Sequence, residues 1–296
     1  AAERARRSAA DGHGLSVLFT TFVKTLPPVF ENLYNRMPDC VPGAVEFVHI
    51  HKLAYQVCRA AGDNPWVNMS AVTEASKAAF KQVVRAGTPL GDDGIDRSYL
   101  EAEVRAVIKG RGIRSLEEYL KVLRTGRGTR FDPSRRRQAW DYMKEWDAGM
   151  AQRDTLDFAD TITRAVEHAQ GFTGPWYRAA VIDEAQDLTL MGLQLVRALV
   201  NGKRDDDRDD GLLIVGDGAQ RIYPGAFTLR QAGVEVRGRT TVLRLNYRNT
   251  AEILAAATTV LGNGPVVDMD DEDSDAPNRF EEERAEASRS GLRPLL

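Results

Sequence analysis

Short apolar runs, each bounded by turn-forming residues, recur along the chain and constrain its fold more than any other feature. They cover residues 15–20, 45–50, 179–183, 212–216 and 241–245. Each run has the length of a strand and is rich in Val, Ile or Leu on both faces, which is typical of strands buried in a parallel sheet. Because helical stretches lie between the runs, the sequence predicts an α/β fold built on a parallel sheet.

The helical stretches between these runs cover residues 26–36, 51–61, 188–201 and 250–261. Residues 62–158 break the alternation of strand and helix. They contain four further helical segments, at 71–86, 99–109, 116–123 and 133–147, and no convincing buried strand. We therefore expect a helical insertion within the α/β core.

Composition excludes several classes of protein. Hydrophobic residues make up 43% and charged residues 28% of the 296 positions, and no stretch approaches the run of about 20 apolar residues that a membrane span needs. The two cysteines, Cys40 and Cys58, are too few for a disulfide framework, so we expect reduced thiols in a cytoplasmic protein. The net charge of −3 disfavours a purely electrostatic nucleic-acid binder.

Two adjacent acids, Asp183 and Glu184, stand at the end of one apolar run. A strand that runs directly into them places both carboxylates at the carboxyl edge of a parallel sheet, where α/β proteins bind their ligands. In a nucleotide-hydrolysing site, Asp183 would hold Mg²⁺ and Glu184 would orient and deprotonate the attacking water. The alternative is that these acids only cap the helix that follows, since acids favour the first turn of a helix.

The run at 212–216 ends in a similar way, with a glycine-containing turn followed by Gln220. Glycine lets the backbone approach a ligand closely, and the amide nitrogen of Gln220 can donate to a phosphate oxygen. Such a residue can sense the γ-phosphate, but taken by itself the pattern would be interpreted as a polar turn after a core strand.

Arg248 is expected on a turn between a strand and a helix. A guanidinium forks onto phosphate oxygens and stays charged, which suits it to stabilise charge that develops during phosphoryl transfer. Taken by itself, Arg248 would be interpreted as an ordinary surface arginine.

Three strings that contain these residues follow one another at compatible spacing. Asp-Glu-Ala-Gln-Asp at 183–187 is identical to motif II, the Walker B motif, of UvrD/Rep-like helicases of superfamily 1. Gly-Asp-Gly-Ala-Gln-Arg-Ile-Tyr at 216–223 resembles motif III, and Asn-Tyr-Arg-Asn-Thr at 246–250 is similar to motif IV. The resemblance implies ATP and Mg²⁺ as cofactors, with these roles: Asp183 as the Mg²⁺ ligand, Glu184 as the catalytic base, Gln220 as the γ-phosphate sensor and Arg248 as an arginine finger.

The resemblance extends upstream, to segments that the family uses to contact DNA. Residues 17–24 resemble motif Ia and residues 49–54 resemble motif Ib. The implied partner is single-stranded DNA, and the implied contacts are Thr20, Thr21, Phe22, Lys24, His51 and Tyr223, with the tyrosine stacking on a base. Without the resemblance, the threonine pair would be interpreted as a helix cap and the histidine as a bystander.

Two features depart from the family pattern or lie outside its motifs. After Tyr223 the chain continues with Pro-Gly-Ala-Phe, where family members commonly carry Trp-Arg. Residues 156–158, Leu-Asp-Phe, resemble a family segment that precedes motif II, and we interpret them as structural.

The phosphate-binding loop Gly-x-x-x-x-Gly-Lys-Ser/Thr does not occur in the 296 residues, and motifs V and VI are also missing. We therefore expect an internal fragment of a helicase. In this interpretation, residues 1–61 and 159–240 form a RecA-like domain, residues 62–158 form its helical insertion, and residues 241–296 begin a second, truncated RecA-like domain.

We therefore expect that the full-length protein is an ATP-dependent DNA helicase or translocase. The 296 residues by themselves should be inactive as an ATPase, because the anchor for the β-phosphate is missing. We expect a monomer with no membrane association. A non-catalytic DNA-binding or scaffold protein derived from a helicase is the alternative, whereas a clamp-loader type of ATPase is disfavoured by the Asn-Tyr-Arg spacing.

Overall fold

The structure is a computed structural model that describes residues 17–124, 129–174, 176–201, 211–217, 220, 227–236, 239–241, 243, 245–261 and 286–292. The chain divides into two compact units, Ala1–Phe227 and Thr228–Leu296. The two units are described separately below.

The first unit contains a parallel sheet of four strands, as the sequence predicts. The strands are β1 (Val17–Thr21), β2 (Val45–His49), β3 (Ala179–Asp183) and β4 (Leu212–Ile214), in the order β2-β1-β3-β4. All five residues of β1 are buried, as are the first four of β3. Burial on both faces explains why these strands read as continuous apolar runs rather than as alternating patterns. The fold is therefore mixed α/β with a parallel sheet.

Four helices of the first unit accompany the sheet strands: α1 (Leu26–Asn35), α2 (Ile50–Ala60), α8 (Phe158–Gly171) and α9 (Leu190–Asn201). Helix α8 begins with a capping box, in which Asp157 accepts from the backbone of Asp160 at 2.8 Å and Asp160 accepts from the backbone of Asp157 at 3.1 Å. Helices α2 and α8 pack side by side and run in the same direction, since contacts join His51 to Phe158 near their starts and Asp63 to His168 near their ends.

The region between α2 and α8 is helical wherever it has regular structure among its described residues. It contains α3 (Met69–Val83), α4 (Pro89–Asp92), α5 (Arg97–Ala102), α6 (Leu116–Lys121) and α7 (Pro133–Ala151). These helices share a core of their own, centred on the fully buried Tyr119, Tyr142 and Trp146, whose indole nitrogen donates to the carbonyl of Val72 at 3.0 Å. Because these helices pack around a core of their own, they do not need a strand to stabilise them.

One predicted helix, 99–109, differs from what the sequence indicates. Helix α5 ends at Ala102, and a π-helix continues from Glu103 to Lys109. Both end residues are buried ion-pair partners: Glu103 with Arg124, and Lys109 with three carboxylates. Apolar periodicity does not distinguish a π-helix of this length from an ordinary helix.

The second unit contains two short parallel strands, β5 (Leu245–Asn246) and β6 (Glu286–Ala287), and helix α10 (Ala251–Leu261). The predicted strand at 241–245 was wrong in its extent, since among its described residues, 241, 243 and 245, only Leu245 belongs to β5. Leu243 is 85% exposed, so within this unit its side chain is not buried as a core strand requires.

Two further findings bear on the sequence-based expectations. Both cysteines, Cys40 and Cys58, are free thiols, and Cys58 is buried. Among the described residues, no helix is long and apolar enough to cross a bilayer.

Candidate nucleotide and DNA site

The carboxyl ends of β1, β2 and β3 lie in one row. Thr21 is paired with Asp183 of β3 on one side and with His49 of β2 on the other. The chain leaves each strand at this row, which is the edge of a parallel sheet where ligands bind. The row therefore gathers residues from three of the sequence motifs at one edge.

Asp183 is partly buried at the end of β3. Its pKa is raised, first by burial and then by the charge of the adjacent Glu184, although a backbone hydrogen bond from Glu184 opposes the shift. Desolvation beside a like charge disfavours the ionised form, and a bound cation would remove that penalty. Asp183 is thus suited to hold a hard cation such as Mg²⁺.

Glu184 has an unusual backbone. Its φ of 52° and ψ of 45° lie in the left-handed region, which among the described non-glycine residues is shared only with Asp154. Such a conformation costs on the order of 1 kcal/mol for a side chain with a Cβ and is concentrated at functional sites. The kink ends β3 abruptly and directs the chain into a short 3₁₀ turn, Ala185–Asp187.

A buried glutamine links Glu184 to the next strand. The amide nitrogen of Gln186 donates to Glu184 Oε2 at 2.6 Å, and Gln186 Oε1 accepts the backbone N–H of Asp217 at 3.1 Å. Asp217 in turn accepts from the side-chain amide of Gln220 at 2.6 Å. The connection Glu184–Gln186–Asp217–Gln220 therefore places the expected base and the expected γ-phosphate sensor in one hydrogen-bond network.

The backbones around this network approach one another closely. The N–H of Ala185 donates to the carbonyl of Val215 at 3.0 Å, and a Cβ at Gly216 would lie only 2.7 Å from Gln186 Oε1. A side chain at position 216 would therefore have to displace the Gln186 amide from this network. Sequence reasoning did not single out Gln186; the available signal was a polar side chain between two acids at a buried strand end.

The two threonines of β1 are fully buried. Within the described part of the chain, Thr20 Oγ1 has no hydrogen-bond partner, and Thr21 Oγ1 accepts the N–H of Val23 at 3.4 Å. Neither hydroxyl is presented to solvent, so the structure places them beneath the surface that the motif resemblance assigns to DNA. Lys24 is exposed and Phe22 is half-buried.

His51 lies between two aromatic rings. Its ring centroid is 5.7 Å from that of Phe22 and 5.0 Å from that of Phe158. Burial and, next, the neighbouring His49 lower the pKa of His51 to about 4, so its imidazole is neutral at neutral pH. The ring can pack against a base or donate one hydrogen bond, but it adds no positive charge.

Phe158 is a candidate DNA contact that sequence reasoning missed. Residues 156–158 were interpreted as structural, and the buried Asp157 does cap α8. Phe158, however, is 44% exposed beside His51. The sequence signal was only an aromatic residue directly after an aspartate that can cap a helix. We call Phe22, His51 and Phe158 the aromatic platform.

Two further site residues were expected from the sequence, Tyr223 and Arg248. Tyr223 is outside the described residues. Arg248 belongs to the second unit, where it is exposed in the turn between β5 and α10. Asn246 Oδ1 accepts the backbone N–H groups of Arg248 and Asn249, each at 2.9 Å. This double acceptance fixes the turn that carries the arginine.

Comparisons with known proteins relate the chain to one helicase family. Residues 45–233 match the N-terminal domain of the UvrD/REP helicase family. Three proteins named ATP-dependent DNA helicase UvrD1, from Mycobacterium bovis and from the CDC 1551 and H37Rv strains of Mycobacterium tuberculosis, are each 35% identical over 130 residues. The match covers 40% of this chain and 17% of each relative. Because the family match spans more than half of the chain, the protein belongs to the UvrD/REP helicase family.

Proposed function

We propose that the protein acts as an ATP-dependent DNA helicase or translocase, which uses the hydrolysis of Mg-ATP to move along single-stranded DNA. The observation that carries the proposal is the network at the carboxyl edge of the sheet. There, a strained Glu184 follows the half-buried Asp183 and is linked through Gln186 and Asp217 to Gln220.

The proposed chemistry assigns one task to each of these side chains. Asp183 would hold Mg²⁺, which would supply positive charge beside the phosphates. Glu184 accepts the proton of the attacking water, and its left-handed backbone fixes the carboxylate. Gln220 senses the γ-phosphate and Arg248 stabilises its developing charge, as the resemblance to motifs III and IV implies.

The proposed DNA contact is the aromatic platform with Lys24 beside it. Stacking on an aromatic ring is tolerant of sequence, as a motor that moves along DNA requires, and is worth about 1–3 kcal/mol per base. The exposed ammonium of Lys24 suits a phosphate contact. Tyr223 completes the contacts that the family motifs imply, whereas Thr20 and Thr21 are fully buried and are not included.

The proposed organisation follows from the same resemblance. Residues 1–61 and 159–240 would form a RecA-like domain, with residues 62–158 as an insertion and residues 241–296 as the start of a second RecA-like domain. The separate core of the helical region supports the insertion. We also propose a cytoplasmic monomer.

The role of Glu184 is tested by Glu184→Gln in a form of the protein that includes a phosphate-binding loop. Loss of the base should lower DNA-stimulated ATP turnover by about 10²–10⁴-fold while nucleotide binding persists. Glu117→Gln is the matched control, because Glu117 is 79% exposed and pairs only with Lys121 in the structure described. Unchanged turnover in Glu184→Gln would remove the proposed base.

The non-catalytic alternative is favoured by one observation, namely that the 296 residues contain no phosphate-binding loop. This chain is therefore expected to bind single-stranded DNA without hydrolysing ATP. Fluorescence anisotropy with a labelled oligonucleotide should show binding that Phe158→Ala weakens by about 1–3 kcal/mol. Phe172→Ala, just beyond the other end of α8, is the control. Equal binding by both variants would exclude the platform as the contact.

A further inference from the structure

A second group of side chains with chemical potential lies away from the proposed nucleotide and DNA site. Within the described parts of the chain, the ligand atoms of Cys58, Asp63 and His168 all lie within 4.8 Å of one another. Cys58 is near the end of α2, Asp63 follows that helix, and His168 is in the last turns of α8. The group, which we call the Cys-Asp-His cluster, is at the opposite end of the helix pair from the aromatic platform.

The donor set is one that zinc takes in proteins. A thiolate, an imidazole and a carboxylate bind Zn²⁺ at about 2.0–2.3 Å, so that ligand atoms in a tetrahedral site are separated by about 3.3–3.8 Å. His168 Nε2 and Asp63 Oδ2 are already 3.0 Å apart. The remaining separations do not exceed 4.8 Å, so they need to close by no more than about 1–1.5 Å to reach tetrahedral values.

Access and burial also fit a metal site. The Cys58 side chain is fully buried, whereas the side chains of His168 and Asp63 are 32% and 24% exposed. A metal ion can therefore enter from the His168 side, and water can occupy the fourth position.

Four local interactions must change when a metal binds. Burial and then the charge of Asp63 raise the pKa of Cys58 to about 11, so the metal has to displace the thiol proton. The thiol also loses its weak contact with the carbonyl of Thr161 at 3.8 Å. Arg164, 3.4 Å from Asp63 Oδ1, competes for the carboxylate. The hydrogen bond between His168 Nε2 and Asp63 Oδ2 is lost, because a ring nitrogen that binds the metal cannot donate.

We propose that Cys58, Asp63 and His168 bind Zn²⁺, with water as a fourth ligand, and that the metal fastens the end of α2 to the end of α8. The thiolate and carboxylate together neutralise the ion, while Arg164 stays on the free oxygen of Asp63. Because the same two helices carry His51 and Phe158 at their other ends, the metal restricts how the aromatic platform can move. This site is separate from ATP hydrolysis and goes beyond the proposed function.

Cobalt is the probe for this site, because a Co²⁺-bound thiolate produces a charge-transfer absorption that a carboxylate or imidazole cannot. The chelator-treated 296-residue chain should bind one Co²⁺ with this absorption, and Zn²⁺ should displace it. Cys58→Ser should abolish the absorption, and Cys40→Ser, the control thiol, should retain it. His168→Gln and Asp63→Asn should each weaken binding by about tenfold or more.

Two measurements keep the proposal testable if Cys58→Ser folds poorly. His168 is part-exposed, so His168→Gln should remain folded and should lose the rise in Tm that Zn²⁺ gives the unaltered chain. Arg164→Gln removes the competing cation and should bind Co²⁺ as tightly as the unaltered chain or more tightly. The proposal is overturned if the unaltered chain shows no thiolate absorption, if Cys40→Ser loses it, or if Arg164→Gln abolishes binding.

Discussion

Replacement of Lys109 by methionine should be among the most damaging single changes in the helical region. The Lys109 Nζ atom lies 2.7 Å from Asp147 Oδ1, 2.7 Å from Asp160 Oδ1 and 3.3 Å from Asp157 Oδ2. The lysine side chain is 8% exposed, and it connects the π-helix to α7 and to the start of α8. Methionine keeps much of the aliphatic stem, so the change removes charge more than volume.

The magnitude follows from which acids are left without a partner. The Asp147 side chain is 42% exposed and can turn to water, whereas Asp157 and Asp160 are 2% and 24% exposed. Removal of one partner from a buried ion pair costs about 3–5 kcal/mol, because the remaining charge stays buried. We expect Lys109→Met to lower the free energy of unfolding at neutral pH by this amount.

The pH dependence of this loss provides a sharper test. Burial, followed by the charge of Asp157, raises the pKa of Asp160 to about 6, while Lys109 opposes the rise. Without Lys109 the pKa of Asp160 should be higher still. A carboxyl group with a raised pKa destabilises the fold when ionised and ceases to do so once protonated. The deficit of Lys109→Met should therefore shrink as pH falls from about 7 to about 5.

Urea denaturation, followed by circular dichroism and tryptophan fluorescence, measures both quantities. Lys121→Met is the control, because the Lys121 and Glu117 side chains are 74% and 79% exposed and their pairing at 2.7 Å should contribute less than about 0.5 kcal/mol. A loss in Lys109→Met no larger than in Lys121→Met, or a deficit that grows towards acidic pH, would refute this reasoning.

Three further predictions concern single positions. Gly112→Ala should lower the free energy of unfolding by about 2 kcal/mol, because φ is +68° and a Cβ would lie 2.5 Å from Met191 Sδ. Tyr119→Phe should cost about 1.5–3 kcal/mol, since the hydroxyl donates to the fully buried Glu103 at 2.7 Å. His51 should titrate near its lowered pKa of about 4 by NMR, so that stability falls as pH drops from about 6.5 to about 4.

Each of these three predictions has either a control variant or a result that would contradict it. Gly62→Ala also requires a positive φ, of +81°, but a Cβ there meets no atom within 4 Å, so denaturation should show a loss of only about 1 kcal/mol. Tyr55→Phe, on the exposed side of α2, should change stability by less than about 0.5 kcal/mol. A His51 pKa near 6.5 would show that the ring is hydrated rather than enclosed between Phe22 and Phe158.

The sequence predicted the sheet and its acidic edge well, because local signals carry that information. Apolar runs on both faces located β1 to β4 to within a few residues, and the transition from Ile182 to Asp183 marked the strand end. The position of Gln220 near Glu184 also followed from parallel topology, since neighbouring parallel strands end at the same edge.

What the sequence did not predict depends on contacts between distant residues. The π-helix is accompanied by ion pairs that reach from Glu103 to Arg124 and from Lys109 to α7 and α8. Exposure of Phe158 and burial of Thr20 depend on which neighbouring element covers each face. Such information is absent from any short window of sequence.

The pairing of β1 with β3 has a consequence for how the polypeptide acquires its structure. Val17 lies opposite Ala179, and the whole helical region is inserted between these partners. Pairing two strands that are so far apart in sequence costs a large loop-closure entropy. Most contacts within the intervening helical region join residues that are nearer to one another in sequence. We expect the helical region to form early and to bring the two strands within reach, so that the acidic edge of the sheet is assembled last.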